Sequence, residues 1–379
     1  MTQTATIRAG TTTSNLWLYR VAPMSIGDAC AFIELPDSTT TFIVRDIEAD
    51  RARKAGFADV VITPPDIVGD DLHPDRDIAT AIATSRFLKS QGLSEITTDR
   101  SLPMLFAHEI EKQGISVNCD PMLGVNERRQ KSEREVDALR QIQKITEDSI
   151  AHVCAIIASS NPDSAGVLHH EGAPLTGERV RTIIDVFHME HSAEPSGTSI
   201  VACGPQGGDC HSRGHGDLKT GQPIIIDVFP RHAESRYYGD CTRTVVHGDI
   251  PEQVAHWHSV VCEAKAAAIG ATRAGVTAHD VHMSTMEVLH KHGFERGINL
   301  DDPSYVSMQH GTGHGVGLDV HEPPLLDENG PELLVGECLT IEPGLYCTGI
   351  GGVRVEDMVI VREDGCENLN SIQEELSWG

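Results

Sequence analysis

Positive charge is scarce in this chain. The 30 lysines and arginines stand against 56 aspartates and glutamates, a net charge of −26 with histidine neutral. That balance argues against nucleic acid or an anionic membrane surface as a partner, because both bind through clustered cations. Long apolar runs are also missing, and none approaches the roughly 18 residues of a membrane span. The opening MTQTATIRAG has neither the basic start nor the apolar core of a secretory leader. The ten cysteines are scattered, with no CxxC, no CxC and no disulfide-like framework. The expectation is a cytoplasmic protein with reduced thiols. What remains is ample for folding: 379 residues, 39% hydrophobic and 23% charged, fit a soluble protein of two or three domains.

Residues 1 to about 14 are polar and threonine-rich and read as a loose end. NLWLYRV, ACAFIEL and TTFIVRD then read as strands, followed by a helix over 75–91 that stops at Gly92. A strand ITTD, a helix over 102–113 and a strand ISVNC complete an α/β domain without a phosphate-binding glycine loop or a cluster of catalytic residue types. At ERRQK the composition turns charged, and Ser132-x-x-Glu135 forms a capping box ahead of a long apolar stripe. The domain boundary is placed there, with residues 1–128 on one side and 129–379 on the other. The second part reads as helices from about Ser132 and Thr176, a strand SIVACG, helices over 251–271 and 277–292, and a β-rich last third. That is an α+β layout with a mainly antiparallel sheet.

The chemistry begins with two carboxylates. Ile224-Ile225-Ile226 runs straight into Asp227, and Asp240 heads the β-branched run CTRTVV. The two runs read as a hairpin with a long loop. A carboxylate in a buried strand is costly unless it is paired or binds a cation, and two on neighbouring strands would repel. The anomaly recurs at Glu342 in CLTIEPGLY and at Glu356 in GGVRVEDMVIVRED, where Glu356 reads as mid-strand and shares a face with Arg354 and Met358. His310, His314 and His321 lie in HGTGHGVGLDVHE, whose glycines argue against a helix, so His310 and His314 are read as extended and pointing to one face. Oxygen-rich ligation with one imidazole suits Mn, Co, Zn or Fe(II). Asp227, Asp240, Glu342 and Glu356 exceed the needs of one ion, so two ions sharing bridging carboxylates are expected.

The ordered motifs IIIDVFP, GDCTRT, HGTGHGVGLDVHE, IEPGLY and VRVED resemble the pita-bread metallopeptidases. That group holds the methionine aminopeptidases, aminopeptidase P, prolidase and their relative creatinase. The resemblance covers roughly residues 130–379. The α/β domain followed by KSEREVDALRQIQKIT is similar to the creatinase-like N-terminal domain and linker of the proline-directed members. It implies an α+β pita-bread catalytic domain behind a smaller α/β domain.

By that resemblance Asp227 would chelate the first ion, Asp240 and Glu356 would bridge, and His314 and Glu342 would hold the second. Glu342 would also act as proton acceptor and later donor, and His321 would donate to the oxyanion of the tetrahedral intermediate. His310 would face the substrate, and Arg354 would fix a ligand carboxylate. The family's substrate-side histidine before the hairpin corresponds to His211, allowing a one-residue deletion, with His215 as the nearer alternative. The implied activity is hydrolysis of the bond between an N-terminal residue and proline in small peptides, by a homodimer holding two divalent ions, most simply Mn. Other readings are another hydrolase of the same fold, of methionine aminopeptidase or creatinase type, or a silent binding module.

Overall fold

In the computed structural model, described for all residues except 1–3, 196, 198, 300 and 379, the chain forms two compact units, Met1–Arg128 and Arg129–Gly379.

The first unit is built on a six-stranded mixed sheet in the order Val60–Ile62, Thr40–Ile43, Cys30–Glu34, Ala5–Gly10, Glu95–Thr98, Ser116–Cys119. Alternation divides its side chains between two cores. Ile7, Ala31, Ile33 and Ile96 pack with Leu88, Phe106 and Ile110, whereas Phe32 and Phe42 pack with Leu18, Ala49 and Ala52. Two sequence expectations fail here. The stretch read as a loose end contains the inner strand Ala5–Gly10, and only residues 1–3 of it lie outside the described residues. Its threonines hid a period-2 pattern in which Ala5, Ile7 and Ala9 are all fully buried. NLWLYRV is a helix, Leu16–Val21, not a strand. A short, continuously apolar run does not distinguish the two. Asn15 decides the matter as N-cap, accepting a hydrogen bond from the Leu18 N–H at 2.8 Å.

In the second unit the capping box forms as read: Ser132 and Glu135 start the helix Glu133–Ser159. This helix and Gly177–Glu190 cover a three-stranded antiparallel sheet of Ile200–Cys203, Pro223–Val228 and Cys241–Val246, and Ile150, Val153, Ile184, Ile224, Ile226 and Val245 form their shared core. The last two strands are the expected hairpin, with Asp227 opposite Thr242. Helices Glu252–Ala271 and Ala278–Lys291 pack on a four-stranded and a five-stranded sheet through Trp257, Val261, Met286 and Leu289 on one side and Ala268, Val281, Leu339 and Val359 on the other. One of these sheets contains Gly344–Cys347 and Gly351–Arg354. The other contains Gly313–Gly315, Cys338–Ile341 and Asp357–Val361.

Glu356 is therefore not mid-strand. The run VRVEDMVIV breaks at Val355–Glu356 into strands of two different sheets. The backbone N–H of Glu356 reaches across to the Thr242 carbonyl at 3.1 Å, so it bonds outside either ladder.

The C-terminal strand Cys366–Asn368 is tied to the long helix by Glu367. Arg140 donates to it in fork geometry at 2.8 and 2.9 Å, and Arg362 adds a bond at 2.6 Å. The Arg140 bonds, with Arg362 beside them, hold the Glu367 carboxyl down at about 2. A carboxyl depressed in the folded state stabilises above its unfolded value of about 4.3, and that stabilisation is lost as pH falls toward the folded value. Because the group is partly exposed, the effect is below about 1 kcal/mol. Glu367→Gln is expected to lower the urea midpoint slightly at pH 7, and the gap from wild type should close as pH falls from about 5 toward about 2. A gap that widens on acidification would contradict this.

Candidate metal centre

Each acidic side chain singled out by the sequence is held by a backbone or side-chain clamp. The backbone of Asp240 is gripped from both sides by the Gln143 amide, which donates to its carbonyl at 2.7 Å and accepts from its N–H at 2.9 Å. Thr242 donates its hydroxyl proton to Glu356 Oε2 at 2.7 Å. The Glu342 N–H reaches the Thr312 carbonyl at 2.8 Å, and the Thr340 hydroxyl lies 3.3 Å from Glu342 Oε1. The Thr340 hydroxyl also accepts the His314 N–H at 3.0 Å, so one threonine orders two of the candidate residues.

These clamps aim the side chains into one cavity of about 340 Å³. Asp227, Asp240, His314, Glu342, Glu356, Arg354, His310, His321 and His211 all line it, and His215 does not. Ligand atoms of Asp240, His314 and Glu356 lie within 4.8 Å of one another. His314 Nε2 is 3.3 Å from Glu342 Oε1 and 3.8 Å from Asp240 Oδ2. The His314 and His321 rings meet edge to face with centroids 4.4 Å apart.

Arg354 underlies the set and is itself 3% exposed. It donates to Asp227 Oδ2 at 2.6 Å, the Thr242 hydroxyl at 3.1 Å, the Tyr346 hydroxyl at 2.9 Å and the Cys210 carbonyl at 3.3 Å. Burial opposes its charge, but Tyr346, Asp227 and Glu342 hold its pKa well above the ordinary value.

The acids shift upward too, which for a carboxyl favours the neutral form. Burial first, then the neighbouring carboxylates, push the Asp240 and Glu356 carboxyls well above the usual range. Glu342 rises by burial as well, although Arg354 restrains it. One guanidinium does not balance four acids. Asp227 Oδ1 is buried with no hydrogen-bond partner, which costs free energy unless a cation completes it. The donor set and its orphaned oxygen fit divalent ions held among these carboxylates and His314. Asp357, next in sequence, shows the contrast. It turns away to Arg243 at 2.8 Å and Lys265 at 2.5 Å, and despite burial these cations keep its carboxyl low.

Sequence reasoning missed several participants. Gln143 lies on the buried face of the Glu133–Ser159 helix, and a polar residue amid an apolar stripe was the available signal. Tyr346 and Thr242 sit in runs that read as ordinary strands. Lys131 pairs with Glu322 at 3.2 Å, both fully buried, and Glu322 accepts the Asp319 N–H at 3.2 Å, which pins the loop carrying His321.

Close backbone approach is needed at Gly313. A Cβ there would sit 2.0 Å from the Thr340 carbonyl oxygen and 2.8 Å from its hydroxyl. Gly313→Ala is expected to cost about 1–3 kcal/mol in urea unfolding, as overpacking against backbone does. Gly270→Ala, inside a helix with nothing within 4 Å of the added Cβ, should instead be neutral or stabilising. Equal effects at the two positions would count against the steric argument.

Comparison with known proteins agrees with this geometry. Residues 137–363 match the model of metallopeptidase family M24. The chain is 32% identical over 249 residues to the probable dipeptidase PepE of Mycobacterium bovis, covering 65% of this chain and 60% of that protein. It is 26% identical over 297 residues to the Xaa-Pro dipeptidase of Pyrococcus horikoshii, covering 76% of each. Matching thus spans about 60% of the length of PepE. Among solved structures, the Xaa-Pro dipeptidase from Bacillus anthracis superimposes with a TM-score of 0.80 at 21% identity, covering 98% of this chain and 94% of that one. The X-Pro aminopeptidase from Thermotoga maritima superimposes with a TM-score of 0.80 at 20% identity, covering 98% and 96%. The fold is accordingly the α+β pita-bread fold, and by its family match the chain belongs to the M24 metallopeptidases.

Proposed function

We propose that the cavity is the active site of a two-metal peptidase that cleaves the bond between an N-terminal residue and proline. The observation that carries the reading is the buried set of Asp227, Asp240, His314, Glu342 and Glu356, with Asp227 Oδ1 left unpartnered. Asp227 would hold one ion, His314 and Glu342 the other, and Asp240 and Glu356 would bridge. When bound, the ions supply Lewis-acid polarisation of the scissile carbonyl and a nucleophile at neutral pH.

The protein's own groups do the rest. The Glu342 carboxylate accepts the proton of the attacking water and returns it to the proline nitrogen, a role suited to a carboxyl raised by burial. His321 donates to the oxyanion as the carbonyl becomes tetrahedral. His211 and His310 stand on the substrate side. Ile200, Phe229, Val320 and Leu325 give the cavity an apolar wall. Such a wall suits a proline ring, whose nitrogen has no N–H to satisfy. Relatives named Xaa-Pro dipeptidase support the substrate class. Mn is the proposed metal, unit Met1–Arg128 the proposed creatinase-like domain, a homodimer the proposed assembly and the cytoplasm the proposed location.

Chelated protein should regain turnover of Xaa-Pro and Xaa-Pro-Yaa peptides when Mn²⁺ or Co²⁺ is added, and metal analysis should give about two ions per chain. Asp240→Asn should abolish turnover while leaving the circular dichroism spectrum intact. Failure of every such peptide with either metal, or full activity in Asp240→Asn, would overturn the reading.

A further inference from the structure

The hydrogen-bond directions around His310 follow from which groups are able to donate. Arg354 has N–H groups and no acceptor, so the Tyr346 oxygen accepts from Arg354 Nη1 at 2.9 Å. The one phenolic proton is then left for the next partner, His310 Nε2 at 2.7 Å. That nitrogen must accept. On the other side of the ring, His310 Nδ1 lies 2.7 Å from the Gly311 carbonyl oxygen, which only accepts, so Nδ1 carries the proton. An imidazolium would leave the Tyr346 oxygen facing two donors and its own proton without a taker.

The tyrosine is held in place by its strand neighbours. Gly344, Tyr346, Gly352 and Arg354 share one face of the strand pair, with Gly344 opposite Arg354 and Tyr346 opposite Gly352. A Cβ on Gly344 would lie 2.3 Å from the Tyr346 hydroxyl, and one on Gly352 would lie 2.8 Å from the ring. Both glycines leave room for the ring to lie flat and bring its hydroxyl to Arg354. The phenol is fully buried.

We infer that Tyr346 is a positioning residue that fixes His310 as the Nδ1–H tautomer through the chain Asp227–Arg354–Tyr346–His310. Both ring nitrogens are then occupied within the protein. His310 presents hydrocarbon to the cavity and no N–H, so it extends the apolar wall instead of binding a substrate carbonyl. The tautomer stands on geometry alone, whereas its consequence for proline recognition rests on the proposed peptidase activity.

The test uses the full-length protein labelled with [¹⁵N]histidine and loaded with diamagnetic Zn²⁺. The His310 ring signals are assigned by their loss in His310→Gln. Long-range ¹H–¹⁵N spectra should show a protonated Nδ1 and an unprotonated, hydrogen-bonded Nε2. In Tyr346→Phe a population protonated at Nε2 should appear. KM for an Xaa-Pro-Yaa peptide should rise about five- to tenfold, with kcat within about twofold, as an unpaired polar group enters an apolar wall. A wild-type Nε2–H or doubly protonated ring would overturn the inference, whatever becomes of the variant. An unchanged tautomer in folded Tyr346→Phe would remove Tyr346 from the role, and a changed tautomer with unchanged KM would remove the effect on substrate. Absence of any wild-type turnover would count against the peptidase reading, while the spectra would still decide the tautomer.

Discussion

One buried guanidinium among four carboxylic acids sets the terms for the rest of the centre. Arg354 is placed where removing its charge would leave Asp227 unpaired in a low-dielectric site, a loss of about 3–5 kcal/mol for a buried pair. Because arginine only donates, it also imposes direction. The Thr242 oxygen accepts from it and must send its proton to Glu356. The Tyr346 oxygen accepts from it and must send its proton to His310. Asp227 spends one oxygen on it and leaves the other bare. A single cation thereby decides the hydrogen-bond state of a carboxylate, a hydroxyl, a phenol and an imidazole, with no rotor left to chance.

The backbone changes sheets between Arg354 and Asp357. The strand carrying Arg354 ends, Val355 and Glu356 cross, and the next strand begins with Asp357 in another sheet. Within one straight strand, neighbouring side chains point to opposite faces and only alternate residues meet. Arg354 and Glu356 keep that alternation across the break and converge on the cavity, while Asp357 points to Arg243 and Lys265 on the far side. Two adjacent acids thus meet opposite electrostatic surroundings, and their carboxyls shift in opposite directions.

Much of the centre was legible in the sequence for a reason independent of fold. Asp227, Asp240, Glu342 and Glu356 are each framed by residues that want to be buried, and a carboxylate in such company needs a cation. His314 and His310 stood out because their glycine-rich setting excludes a helix. Less was legible where a residue's type agrees with a bland role. Tyr346 in GLYC fits any core strand, and only its contacts reveal the phenol as a link. Gln143 serves Asp240 from a helix 97 positions away in sequence, a distance over which no periodicity speaks. The helix at Leu16–Val21 and the strand at Ala5–Gly10 were misread because short apolar or threonine-rich stretches leave the period undetermined, and an N-cap or a sheet partner then settles it.

The same arithmetic links chemistry to stability. Asp240, Glu342 and Glu356 are raised by burial and by neighbouring carboxylates, so in the bare protein their charged forms oppose one another. The clamps from Gln143, Thr242 and Thr340 bear that load, which explains why they act on backbone groups and on single oxygens and leave the remaining oxygens facing the cavity. A cation bound among the acids would turn repulsion into attraction, and its binding free energy would add to that of the fold. The centre is therefore built in tension, with rigid donors at its base, glycines where backbones must touch, and acids whose mutual cost a multivalent cation would relieve. Hydrophobic side chains of the same volume would make a more stable core. Acids in that place instead fit the divalent metals implied by the M24 family.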